Sequence, residues 1–209
     1  MGEVYVSSPS LAHGYYPDNT EPFNVYLVLM PHVQRKIEGD EKSYLETGDL
    51  GFIHEGQLYI CGRLKDLIII HGKNHYPQDI EYACHSLPQI KQGSIAAFTV
   101  LLQHMYKPQV VDKEEEQLIV VTETRECTDD LDSLFKSMKN RISEENGITP
   151  SVIVVVKPKT IPKTTSGKIS RSAVKQQYMQ DELDVIAKVS YKPEEVNEQE
   201  IRSTFGSGL

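Results

Sequence analysis

The chain has no tryptophan and only three cysteines, Cys61, Cys84 and Cys127, in 209 residues. An odd number of cysteines without metal-ligand spacing argues against a disulfide framework or a zinc site and fits a reducing cytoplasm. The seven histidines show no ligand spacing either, so no metal site is expected. Long apolar runs are missing: "DLIIIHG" and "SVIVVVK" are far shorter than the ~20 residues of a membrane-spanning helix, and no membrane insertion is expected. The opening "MGEVYVSS" lacks the basic start and apolar stretch of a signal peptide, and its alternation reads as a strand instead of a myristoylated arm. Positive charge is in deficit. A net charge of −8 removes the basic surface on which general nucleic-acid binding rests, so no nucleic-acid partner is expected.

What is present is an ordinary globular composition, 39% hydrophobic and 25% charged, long enough for one large domain or two small ones. The first sixty or so residues read as β-rich: "GEVYVSS" alternates, "NVYLVLM" is a short apolar run, and "LGFIHEGQLYICGR" is a hairpin about a Glu-Gly turn. Beyond Arg63 the style changes. "DLIIIHG" reads as a buried strand ending at Gly72; Pro77 opens a helix carrying Ile80, Ala83, Cys84 and Leu87. "GSIAAFTV", "EQLIVVTE" and "SVIVVVK" read as strands, and "DKEEEQ" as a solvated loop. Leu131, Leu134, Phe135, Met138 and Ile142 predict a helix over 129–145 that stops at Gly147, and a last helix is expected from Ser170 to about Leu183. The fold class is therefore α+β: a β-rich subdomain over 1–63, an α+β domain over 64–190 with a sheet flanked by helices, and a polar tail over 191–209. The junction "GRLKD" has the look of a hinge, a charged pentapeptide between apolar strands.

Three stretches carry chemistry. In "TGDLG" (47–51) a carboxylate, Asp49, stands between two glycines, where it can approach a pair of sugar hydroxyls; alone, Gly-Asp more commonly marks a tight turn. In "GRLKD" (62–66) the donor fork of Arg63 can reach a phosphate or ribose, or pair with Asp66. In "IPKTTSGKIS" (161–170) Lys168 follows Gly167 at the end of a hydroxyl-rich loop. It can supply a mobile cation to an oxygen whose charge changes in a reaction, although Thr164, Thr165 and Ser166 are equally capable helix caps. The stretch from Lys157 to Lys175 holds six basic residues and no acid, a solvated basic face or a local anion site. A Walker-type phosphate loop is excluded by Pro162 and Ile169.

Together and in this order, "GEVYVSSPSLAHGYY", "TGDLG", "GRLKDLIIIHGKNHYPQDIE" and "IPKTTSGKISR" resemble the C-terminal portion of the adenylate-forming superfamily, from the start of the chain to about residue 180. The wording resembles most nearly the fatty acyl-AMP ligases. That resemblance implies an enzyme part that uses ATP to turn a fatty acid into an acyl-adenylate and pyrophosphate, then passes the acyl group to the phosphopantetheine of an acyl carrier protein. It implies that Asp49 binds the ribose hydroxyls of ATP or AMP with help from Arg63. Lys65 is then the hinge pivot, Lys168 the catalytic cation that meets the carboxylate and α-phosphate, and Gly72 part of the face presented to the thiol acceptor. Mg2+ is expected in the intact enzyme, with ligands outside this chain. The phosphate loop, adenine pocket and acyl tunnel belong to a larger N-terminal domain, expected to be missing here, so the chain alone is expected to be inactive. Two alternatives remain open: a ligase that uses coenzyme A, and a non-catalytic module kept for lipid sensing or carrier-protein docking.

Overall fold

The computed structural model describes residues 1–11, 35–101, 116–125 and 130–191. The chain divides into two compact units, Met1–Leu67 and Ile68–Leu209. The run "NVYLVLM", "DKEEEQ" up to Glu115, and residues 192–209 lie outside the described residues, as does Cys127.

The first unit is built on one long strand. Strand β1 (Gly2–Val6) pairs antiparallel with β3 (Ser43–His54), which also pairs with the short β2 (Arg35–Lys36) and with β4 (Gln57–Arg63). The β3–β4 hairpin turns at Glu55 and Gly56, both in the left-handed region, as a two-residue hairpin loop favours. A 3-10 turn over Leu64–Asp66 closes the unit, with the Leu67 N–H donating to the Leu64 carbonyl at 3.3 Å.

The second unit begins with a small hairpin, β5 (Ile68–Ile70) and β6 (Lys73–His75), followed by α1 (Pro77–Ala83) with Pro77 in its first turn. Then come β7 (Ile90–Leu101), β8 (Glu116–Thr124), α2 (Leu131–Asn146), β9 (Val152–Val156), α3 (Arg171–Met179) and β10 (Val185–Ser190). Four of the strands form a sheet in the order β10-β9-β8-β7, parallel only between β8 and β9, where α2 supplies the crossover that a parallel pair requires.

Strand alternation buries both faces of this sheet. Ile95, Ala97, Leu118, Val120, Ile153 and Val155 pack with α1 and α2, against Ile80, Leu134, Phe135, Met138 and Ile142. The residues between them, Ala96, Phe98, Ile119, Val121, Val152, Val154 and Val156, pack with Ile161 and with Val174 of α3. Each fully buried aliphatic or aromatic side chain contributes about 1.5–3 kcal/mol of transfer free energy. Helix α2 stops at Gly147 as its sequence predicts, the left-handed glycine donating to Ser143 O at 3.0 Å, and it starts at Leu131 where the Asp130 carboxylate accepts the Ser133 N–H at 2.9 Å.

Four local readings change, the first being that α1 ends at Ala83, so that Cys84 caps it and Leu87 lies beyond it. "DLIIIHG" is not a wholly buried strand: Ile68 is buried, but Ile69 faces outward and the strand folds straight back onto β6. The last helix ends at Met179, and "VIAKVS" returns as β10 along β9. Tyr191, expected to open a loose tail, donates its N–H to Ser151 O at 2.8 Å and packs against the α1/α2 core. No helix among the described residues is long and apolar enough to cross a membrane.

Candidate functional site

In the first unit the "TGDLG" segment is held by β1. The Thr47 hydroxyl donates to Val4 O at 2.7 Å and accepts the Asp49 N–H at 3.1 Å, while the Gly48 N–H donates to the Glu3 carboxylate at 3.1 Å. Asp49 therefore lies in a strand and not in a tight turn. The β3–β4 register sets it opposite Arg63, with Nε 3.4 Å from Oδ1. Their side chains are 33% and 59% exposed, so water screens the pair and it contributes at most about 1 kcal/mol. Such a contact opens at small cost, freeing the carboxylate and the guanidinium fork for a ligand's hydroxyls or phosphate. Gly51 is required for a different reason than ligand approach. A Cβ there would sit 2.7 Å from Tyr59 O and 3.0 Å from Val4 Cγ2, so its absence lets β1 and β4 close on β3. Lys65 lies in the exposed 3-10 turn, immediately before the first unit ends.

In the second unit Gly72 and His71 form the two-residue turn between β5 and β6, with φ of 72° and 50°. Nothing lies within 4 Å of where a Gly72 Cβ would point, so the turn offers open space. Beside it is a cavity of about 450 Å3 that His71, Lys73, His75, Lys139 and Tyr191 help to line. Burial first, and the charge of Lys73 second, hold the His75 imidazole below its ordinary pKa. This cavity belongs to the α1/α2 side of the sheet.

The lysine stretch is on the other side, and it is not a loose loop. Lys163 and Ile169 form an antiparallel bridge; Thr164 N–H donates to Lys168 O at 2.7 Å, Gly167 N–H to Thr164 O at 2.8 Å, and Ser170 N–H to Pro162 O at 3.0 Å. The Thr164 hydroxyl donates to Lys168 O and accepts Lys168 N–H, each at 3.2 Å. Residues 163–169 are thus a miniature hairpin whose hydroxyls brace the lysine backbone, and neither the capping reading nor free flexing describes them. Ser170 is the N-cap of α3 and makes no side-chain capping bond. Lys168 itself is exposed, and no carboxylate pairs with its ammonium among the described residues.

Sequence reasoning missed the groups that anchor this hairpin. The Ile161 N–H donates to a carboxylate oxygen of Glu123, a β8 residue only 1% exposed, at 2.8 Å. Arg171 donates to Glu81 of α1 through Nε at 2.6 Å and Nη2 at 2.7 Å. The available signal was weak: an acid inside the apolar run "LIVVTET", and an arginine grouped with its basic neighbours. Lys157 is also paired, with Asp184 at 3.3 Å, so the basic stretch is less of a continuous cationic face than its composition implies.

Among the described residues no three His, Cys, Asp or Glu side chains gather where a metal ion could be held. The described residues therefore offer no Mg2+ site, and no role below is assigned to a metal.

A family model described as Disco-interacting protein 2-like, AMP domain, matches residues 65–188. The medium-chain-fatty-acid–[acyl-carrier-protein] ligase JamA of Moorena producens is 36% identical over 188 residues, 88% of this chain and 29% of that protein. The putative fatty-acid–CoA ligase FadD21 of Mycobacterium tuberculosis is 34% identical over 185 residues, 85% of this chain and again 29% of the relative. A solved structure from work on fatty acyl-adenylate ligases of E. coli and L. pneumophila superposes with a TM-score of 0.55 and 37% identity, over 66% of this chain and 23% of that one. The chain thus spans under a third of the length of these relatives.

Proposed function

Because the chain belongs to the Disco-interacting protein 2-like AMP-domain family, within the adenylate-forming superfamily, we propose that it is the C-terminal portion of a fatty acyl-AMP ligase. In this reading Met1–Leu67 supplies the ribose contacts of the adenylating domain, and the unit after it is the mobile C-terminal domain. The substrates are a fatty acid and ATP, and the acceptor is the phosphopantetheine thiol of an acyl carrier protein. JamA, named as an acyl-carrier-protein ligase, supports that acceptor.

One observation carries the reading. The Gly72 turn belongs to a hairpin whose Ile68 and Ile70 pack with α1 and α2, whereas the Lys168 hairpin lies between Ile161 and α3, on the opposite face of the same sheet. That separate packing supports a reading in which two successive chemical steps each use one of them. Asp49 accepts hydrogen bonds from the ribose hydroxyls and Arg63 supports it. The Lys168 ammonium offsets the repulsion between carboxylate and α-phosphate as the carboxylate oxygen attacks phosphorus and pyrophosphate leaves. Rotation about Lys65 then withdraws the lysine and brings up the Gly72 face for the thiol, a gating motion of the kind that separates half-reactions in other enzymes.

Lys168→Ala in the whole ligase tests this. Acyl-adenylate formation should fall by about 10²–10³, as when one donor to a developing oxyanion is removed, while acyl transfer from supplied acyl-adenylate survives better. Equal loss of both steps contradicts the assignment. FadD21, named as a putative CoA ligase, favours a second reading in which coenzyme A is the acceptor; comparing coenzyme A with holo carrier protein as acceptor decides between them.

A further inference from the structure

The geometry points to Glu81 and Arg171 as a positioning clamp that sets where Lys168 stands during adenylation, an inference that rests on the role proposed for Lys168 above. Arg171 is the first residue of α3, three positions after the lysine, and its planar fork meets the Glu81 carboxylate in two parallel bonds of 2.6 and 2.7 Å. The Glu81 oxygen that takes Arg171 Nε also accepts the Ala97 N–H of β7 at 3.1 Å. One carboxylate therefore ties the outgoing arm of the lysine hairpin both to α1 and to the sheet. The pair is largely sheltered, with side chains 21% and 15% exposed.

Apolar contact at this point would serve stability as well, since a sheltered ion pair is often no more stabilising than a packed hydrophobic one. A bidentate fork does something apolar packing does not: it fixes an orientation. The incoming arm is fixed separately by Glu123 at Ile161. With both arms held and its tip braced by Thr164, the hairpin carries Lys168 as a rigid arm. Misplacing a reacting group by about 1 Å can cost about 10²-fold in rate, so the clamp matters for the step that uses Lys168.

The test uses Glu81→Gln, Arg171→Ala and their combination in the whole ligase, with Arg171→Lys as the conservative variant. Fatty-acid-dependent pyrophosphate exchange should lose about 10²-fold in kcat, with KM for ATP and fatty acid kept within about threefold. The double variant should fall no further than the worse single one, because both substitutions break one device. Arg171→Lys, which keeps the charge without the fork, should fall between. Acyl transfer from supplied acyl-adenylate should stay within about threefold of the unaltered enzyme. Exchange at unaltered rates in either single variant, multiplicative losses in the double, or equal loss of both steps would overturn the clamp. Amide hydrogen exchange on the 209-residue chain separates the clamp from the functional reading. Gly167 and Ser170 should exchange faster in Glu81→Gln while α2 is unchanged; unchanged exchange at both overturns the clamp even if the whole protein proves to adenylate nothing.

Discussion

Replacing Thr164 with valine removes one hydroxyl and almost no volume, and it probes whether the lysine hairpin is held or free. That hydroxyl makes two contacts of 3.2 Å with the Lys168 backbone, donating to its carbonyl and accepting its N–H. Both are exposed to water, which places each near the low end of the net worth of a hydrogen bond, about 0.5 kcal/mol. Together they amount to about 1 kcal/mol, or about a fivefold change in the ratio of open to closed hairpin. The reporter is the Gly167 amide, because its own bond to Thr164 O at 2.8 Å is untouched by the substitution. In hydrogen-exchange measurements it should exchange about fivefold faster in Thr164→Val, and near the original rate in Thr164→Ser. In the fatty acyl-AMP ligase proposed above, adenylation should drop by no more than the same factor. If Gly167 already exchanges like an unstructured peptide in the unaltered chain, or if valine leaves its rate unchanged, the braced hairpin is refuted and Lys168 rides on a flexible loop after all.

Two further outcomes concern the frame around the site. Burial, reinforced by Glu145 and opposed by Arg141, pushes the Cys84 thiol up from 9.0 to about 12. The unfolded chain sheds this proton near pH 9 and the folded chain only near 12, so the contribution is complete below pH 9 and is lost as pH climbs toward 12. Urea unfolding should show a midpoint falling over that window, with a shallower fall in Cys84→Ala, and a thiol reagent at pH 8 should label Cys84 only as fast as the protein opens; rapid native labelling would contradict this. Gly51→Ala should force apart strands that meet 2.7 Å from the new methyl, costing about 1–3 kcal/mol, or about 4–8 °C of melting temperature per kcal/mol in a unit this small. An unshifted melting curve would show that the ladder absorbs the methyl.

The parts legible in the sequence were those set by neighbours along the chain. The Glu55-Gly56 hairpin, the α2 stripe with its Gly147 stop, and the apolar strands each follow from local pattern and turn chemistry. Strand β10 escaped because "VIAKVS" carries a lysine and sits directly after a helical stretch, and β6 because a three-residue strand is too short to show a period. At the site, the identity of Asp49, Arg63 and Lys168 was visible but their surroundings were not. The Asp49–Arg63 contact depends on a ladder with a register shift after Leu50. The Glu81–Arg171 fork joins residues 90 positions apart, and nothing local announces it. The sequence of "TTSG" suits a mobile cation or a helix cap, and only the fold shows the Thr164 hydroxyl bonding the Lys168 backbone.

Glu81 has a consequence outside catalysis. Strand β7 ends the four-stranded order among the described residues, and an end strand with unused N–H groups is a template on which a stray chain can add. By taking the Ala97 N–H and placing a charge beside it, Glu81 blunts that margin of the sheet and makes it a poor seed for aggregation. The acid that ties Arg171 to α1 therefore also shields part of the open edge of the folded sheet.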